Sequence, residues 1–186
     1  MAVIKVMDEL LANKIAAGEV VERCSSVVKE LVENSIDAGA NEIKVELTDA
    51  GTKEIKITDN GKGMDKDDAV LAFSRHATSK IRCEDDLYHI ETLGFRGEAL
   101  AAICSVSNVT LKTSTGEVGT IVEISGGKIL EVKPSDSKKG TSISVRNLFY
   151  NTPARLKHMK SLYTELANVT EYIPLLRNTA ICGYVS

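Results

Sequence analysis

Near the N-terminus apolar residues recur every three or four positions, the spacing of helices with one buried face. Leu10 to Ala17 read as a short helix stopped by Gly18, and Ser26 to Asp37 as a second helix closed by Gly39, because glycine adopts the left-handed conformation that ends helices. The period then changes to two. Ile43, Val45 and Leu47 alternate with Lys44 and Glu46, and Ile55 and Ile57 with Glu54 and Lys56, across a turn at Asp49-Ala50-Gly51-Thr52, which predicts an antiparallel hairpin. Asp65 is placed to cap a helix through about Ser74, carrying Val70, Leu71 and Phe73. Residues 75 to 97 hold several charges and few apolar residues. A stretch of that kind inside a compact domain is usually functional, and it reads as a lid. A helix from about Gly97 to Ile103, strands near 107 to 113, 119 to 124, 128 to 133 and 141 to 146, and a helical C-terminal segment opened by Pro153 complete the order.

Strands cluster instead of alternating with helices, so the expected class is α+β, a two-layer sandwich with the active groups between helices and sheet. At 186 residues and 43% hydrophobic, the chain suits one domain over 1–186 with a single core. No apolar run approaches a membrane span, and Asp8 and Glu9 stand where a signal peptide would be basic and then apolar, so a soluble, unexported chain is expected. Cys24, Cys83, Cys104 and Cys182 are scattered without a C-x-x-C pair, and His76, His89 and His158 do not cluster with them. This argues against a zinc site or a disulfide framework, and reduced thiols fit the cytoplasm. A net charge of −3 means that any nucleic-acid affinity must come from a local patch or from protein outside these residues.

On the second helix Val27, Val28, Leu31, Val32 and Ile36 fill one face, while Glu30, Asn34 and Asp37 form a polar stripe beside it; Lys29 and Glu33 should point out to solvent. Glu30 and Asn34, one turn apart, can share a ligand, the carboxylate deprotonating a water and the amide oxygen ligating a hard cation. Taken alone, the helix fits an ordinary solvated polar face better. Asp59-Asn60-Gly61-Lys62-Gly63-Met64 follows a strand: its glycines permit close approach to a flat ligand, and Asp59 can accept from an exocyclic amine such as that of adenine. The same string is also strong turn chemistry. Leu93-Gly94-Phe95-Arg96-Gly97-Glu98-Ala99-Leu100 offers glycines, an arginine and a helix N-terminus suited to phosphate, and Arg75-His76-Ala77-Thr78-Ser79-Lys80 adds hydroxyls and positive charge, or is a solvated loop. Neither a Walker P-loop nor a Rossmann glycine turn occurs. Lys139-Gly140-Thr141 places a hydroxyl at a strand start, and Asn151-Thr152-Pro153-Ala154-Arg155 reads first as a structural joint.

Together and in this order, these segments resemble the ATPase region of the MutL mismatch-repair family. The strings that carry the resemblance are Asn13 to Arg23, Val27 to Ala40, Asp59 to Gly63, Arg75 to Lys80, Leu93 to Leu100 and Asn151 to Arg155. The resemblance implies a Bergerat-type ATP-binding fold, with a mostly antiparallel mixed sheet and helices on one face. It implies ATP and magnesium as ligands, Glu30 as general base, Asn34 as magnesium ligand and Asp59 as adenine acceptor. Asp37, Gly61, Gly63 and Met64 would line the nucleotide, and Thr141 would close its adenine side. Thr78, Ser79, Lys80, Gly94, Phe95, Arg96, Gly97, Glu98, Ala99 and Leu100 would line the phosphates under the lid. It further implies a slow ATPase acting as a switch in DNA mismatch repair, forming a homodimer or heterodimer on ATP binding and coordinating a mismatch-recognition protein with a nuclease or helicase. DNA binding would be weak and not sequence-specific, in the cytoplasm of a bacterium or the nucleus of a eukaryote. A non-hydrolysing nucleotide-binding module is the alternative; the strings at Ala16 to Arg23 and Asn151 to Arg155 disfavour a type II topoisomerase. Family members usually have proline where Cys24 stands, so the entry to the catalytic helix should be mildly looser. They also continue into a transducer-type domain that supplies a lysine to the γ-phosphate and into a C-terminal dimerisation domain. Residues 1–186 alone are therefore expected to hydrolyse ATP slowly.

Overall fold

A computed structural model describes residues 5–75, 77, 97–158, 164–165, 167–169 and 180–185. Helix α1 (Glu9–Val20) runs through Gly18 instead of stopping there. A Cβ at Gly18 would lie 1.6 Å from Nη2 of Arg155, so the guanidinium occupies the space a side chain would need. Helix α2 (Cys24–Asp37) begins two residues earlier than its polar pattern suggests, with Cys24 wholly buried, and its N-cap Arg23 makes no side-chain capping bond. Burial pushes the Cys24 thiol up to about 12. The expected stop holds: Ala38 N and Gly39 N donate to Asn34 O (3.0 Å) and Ile36 O (2.8 Å), with Gly39 at φ +75°.

The hairpin forms as expected from β1 (Glu42–Thr48) and β2 (Glu54–Asp59), antiparallel, joined by a single 3-10 turn at Asp49–Gly51. Helix α3 (Lys66–Leu71) is capped by Asp65, whose carboxylate accepts from Asp68 N at 2.8 Å. Most of the expected lid lies outside the described residues. After it come α4 (Ala99–Ser105), β3 (Asn108–Ser114), β4 (Gly119–Ser125), β5 (Lys128–Ser135), β6 (Gly140–Arg146) and α5 (Pro153–His158). The C-terminal segment is not helical throughout: β7 (Ala180–Val185) adds a strand parallel to β1. All other strand pairs are antiparallel, in the order β5-β4-β3-β6-β2-β1-β7.

Register aligns the strands in rows across the sheet. Val45, Ile57, Ile143, Leu111 and Val122 form one row, and Leu47, Ile55, Val145, Val109 and Ile124 the next; all are buried. Val27, Val28, Leu31 and Val32 of α2 and Ile103 of α4 close the core over them, which makes the expected two-layer α+β sandwich with helices on one face. The opposite face is polar. Lys44 and Lys56 flank Glu46 there at 2.8 and 3.3 Å, and Arg146 pairs with Glu54 at 2.9 Å. No helix among the described residues is long and apolar enough to cross a membrane.

Candidate nucleotide site

The helix-facing side of the sheet changes character in its third row. Ile43 is followed across the strands by Asp59, Thr141, Thr113 and Thr120, so one end of an otherwise apolar surface carries a carboxylate and three hydroxyls. Asp59 is held from three sides. Its Oδ1 accepts from Gly61 N (2.9 Å) and Thr141 N (3.2 Å), and its Oδ2 lies 2.9 Å from Ser35 Oγ on α2. Burial raises the Asp59 pKa above the usual carboxylate value, against the lowering effect of those three donors. A desolvated acceptor at the edge of a core suits recognition of a buried donor better than it suits stability.

The loop after β2 reaches this position through close backbone approaches. Lys62 N donates to Ala38 O (3.0 Å), and a Cβ at Gly61 would come within 2.9 Å of the Ala38 Cβ, so the loop lies tight against the end of α2. At Gly63, with φ +70°, a Cβ would fall 1.9 Å from Ser114 O; at Gly140, with φ +120°, it would fall 2.1 Å from Asp59 O. Asn60, read from sequence only as turn chemistry, clamps the loop to the start of β1 by accepting from Asn41 N (3.0 Å) and Glu42 N (3.1 Å). Met64 N donates to Thr113 Oγ1 at 2.9 Å.

Ser35 faces Asp59, and Leu31 and Ala38 share its stripe of α2. Glu30, Asn34 and Asp37 therefore form the adjacent stripe one residue back, each half-buried, at the border expected for them. Glu33 differs from expectation: it is largely covered, its side chain 12% exposed and 3.9 Å from Lys29. At the C-terminal base of the lid, Gly97 takes φ +62° and Glu98 precedes α4, its carboxylate 3.7 Å from the Arg75 guanidinium at the other base. Ala99 opens α4, and Leu100 turns partly into the core. Thr78, Ser79, Lys80, Gly94, Phe95 and Arg96 lie outside the described residues.

The structure thus brings Asp59, Gly61, Gly63, Met64 and Thr141 together beneath α2. It also adds two residues that sequence reasoning passed over, Ser35 and Thr113. Each left a signal: a polar residue on an apolar helix stripe, and a polar end to the alternation Val109, Leu111, Thr113. Among the described residues no three of His, Cys, Asp and Glu converge as a metal cage. The neutral Asn34 amide with the Glu30 carboxylate fits a cation held mainly by phosphates and water.

Residues 22–152 match the sequence family described as histidine kinase-, DNA gyrase B-, and HSP90-like ATPase. Over 174 residues, 93% of this chain, the sequence is 58% identical to a DNA mismatch repair protein MutL of Geobacillus sp. (strain WCH70), of which it spans 28%. It is equally similar to one of Staphylococcus aureus (strain Newman), of which it spans 26%. Among solved structures, the N-terminal domain of a DNA repair protein superposes with a TM-score of 0.79 at 30% identity, covering 94% of this chain and 52% of that one. An Aquifex aeolicus MutL ATPase domain complexed with ADP superposes with a TM-score of 0.69 at 30% identity, covering 89% and 61%.

Proposed function

The chain belongs to the histidine kinase-, DNA gyrase B- and HSP90-like ATPase family, where it corresponds to the N-terminal ATPase region of MutL, and from that premise we propose that it binds ATP with magnesium and hydrolyses it as a switch in DNA mismatch repair. The observation that carries this reading is Asp59. It is a partly buried carboxylate at a strand end, held by Gly61, Thr141 and Ser35, with one lone pair left on Oδ2 to accept from an adenine amino group. The ADP complex of the Aquifex relative supports the same ligand class.

In this reading the base enters beneath α2, and the phosphates run toward Gly97, Glu98, Ala99 and Leu100 at the start of α4. Glu30 accepts the proton of the attacking water as that water bonds to the γ-phosphorus; the bridging oxygen leaves with ADP, and the proton passes on to solvent. Asn34 and the phosphates would hold magnesium, which supplies positive charge against the phosphate oxygens when bound. Asp37 flanks Asn34 on the same stripe, and Thr78, Ser79, Lys80, Gly94, Phe95 and Arg96 complete the phosphate side. The family resemblance further supports dimerisation on ATP binding, a cytoplasmic setting and coordination of mismatch-recognition and nuclease or helicase partners on DNA.

Calorimetric titration with non-hydrolysable ATP and GTP analogues, with magnesium or chelator, tests the assignment. Asp59→Ala should weaken ATP-analogue binding by roughly 10-fold or more, the effect of losing a partly buried charged acceptor. Asn34→Ala should weaken only the magnesium-dependent part. Glu30→Ala should bind normally while turnover, read in the same protein, falls roughly 100-fold. Equal loss of binding in all three would defeat this division of roles.

A further inference from the structure

Helix α2, which carries Glu30, Asn34 and Ser35, begins without an anion of its own. The first N–H groups of a helix have no partner inside it, and together they make a partial positive charge that favours a carboxylate. Here the first turn holds no acidic residue, and the N-cap Arg23 is itself a cation without a side-chain capping bond. Glu22, one residue earlier, is exposed and lies 3.6 Å from the Arg23 guanidinium. Cys24, at the first helical position, also keeps an N–H that a proline there would lack. A carboxylate suited to this end comes from the other end of the chain. Glu165 is wholly buried, and neither of its oxygens has a hydrogen-bond partner among the described residues. The cost of removing a carboxylate from water must be offset by positive charge close by. Its charge reaches the first residue of α2: burial is the main cause of the high Cys24 pKa, and the Glu165 charge is the second. Arg155 of the same C-terminal segment is the other claimant on Glu165, with Nη2 in the space beside Gly18 of α1 and a buried Nη1 that has no hydrogen-bond partner among the described residues.

We propose that Glu165 is a positioning residue for hydrolysis, whose carboxylate caps α2 from outside the helix and fixes the end of the helix nearer to Glu30. The catalytic consequence rests on the nucleotide reading above and deepens it. Glu30 stands 6 residues after Cys24 and Asn34 stands 10 after it, so a helix start that frays or tilts displaces the general base before the magnesium ligand. A base must lie within hydrogen-bond reach of the water it deprotonates, and a displacement of about 1 Å can cost roughly 100-fold in rate. Glu165 acts only through the helix. Its substitution should therefore lower turnover more than nucleotide affinity.

Hydrogen exchange at Val27 and Val28, whose amides are protected by the first turn of α2, reads the cap directly and needs no nucleotide. Turnover and ATP-analogue affinity, measured on the same proteins, read its consequence. Glu165→Gln keeps the shape and removes the charge. It should speed exchange at those amides by about 5-fold or more relative to β2, and lower turnover by about 10-fold while affinity stays within about 2-fold. Adding Arg23→Asp supplies a carboxylate at the N-cap, where the backbone is already extended at φ −157° and ψ 172°, and should restore exchange and turnover to within about 2-fold of wild type. Adding Arg23→Ala instead should restore neither. A carboxylate at residue 23 can replace a cap but cannot replace a partner of the Arg155 guanidinium, so rescue separates the two claimants. If circular dichroism shows that Glu165→Gln alone does not fold, the variant that also carries Arg23→Asp should fold, and its failure to do so would overturn the proposal. Unchanged protection at Val27 and Val28 in Glu165→Gln, or a loss that Arg23→Asp leaves unrepaired, would make Glu165 a packing residue and overturn the proposal as well. A wild-type chain that binds no adenine nucleotide would overturn the nucleotide reading and with it the catalytic consequence, while the exchange results still decide the cap.

Discussion

Asp59 carries a conflict between folding and recognition that a single substitution separates. Burial raises its pKa, so between the ordinary carboxylate value and the raised one the folded chain holds more protons than the unfolded chain. Stability therefore falls as pH rises through that window and stays lower above it. Asp59→Asn removes the charge and keeps the contacts: the amide oxygen still accepts from Gly61 N and Thr141 N, and the amide nitrogen can donate to Ser35 Oγ, whose proton then serves Leu31 O at 3.1 Å. The variant should melt at a higher temperature than wild type at pH 7, and the difference should shrink as pH falls through the window. It should also lose adenine binding, because an amide donor would face the amino group of the base. A variant that melts lower than wild type at pH 7 would mean that the ionised carboxylate stabilises this corner.

At the scale of the elements, the glycines divide into those that need only a left-handed backbone and those that also admit another strand. Gly39 has φ +75° with nothing within 4 Å of the point a Cβ would occupy, so Gly39→Ala should cost about 1–2 kcal/mol of left-handed strain and no more. Gly63 and Gly140 combine positive φ with backbone oxygens 1.9 and 2.1 Å from a Cβ, and a backbone atom cannot rotate aside. Their alanine variants should cost roughly 3 kcal/mol or more in urea unfolding and displace Asp59 and Met64. Equal costs at all three positions would show that close approach is not what selects glycine here. The same distinction explains what the sequence made legible. Alternation at Ile43–Leu47, the Asp65 cap and the Gly39 stop are local, and all three appear in the structure. Gly18 misled because the group that occupies its missing side chain, Arg155, lies more than a hundred residues away. Strand β7 escaped notice because its pairing with β1 spans most of the chain and is parallel, so no turn signal announces it.

For the molecule as a whole, core and site are one continuous surface: two apolar rows across five strands, then the row of Asp59, Thr141, Thr113 and Thr120. The candidate residues of α2 and the glycine loop were nominated by their motifs, whereas Thr113 joins the candidate site through strand register and Ser35 through the packing of α2 on the sheet, both set by contacts between distant segments. A site built into the sheet in this way links ligand binding to global stability. A nucleotide that binds only the folded chain should raise its melting temperature by about 5–10 °C at roughly a hundred times Kd, given a domain of this size. Magnesium with the ATP analogue should give the full shift, chelator should reduce it, and the GTP analogue should give little. Asp59→Asn provides the critical control, since it should begin from a higher melting temperature and show almost no shift. Both signs follow from the same desolvated carboxylate, which opposes folding when alone and rewards it when an amino group arrives. If the variant instead shifts as far as wild type, the base is recognised elsewhere, and the polar row is a structural feature of the sheet's end.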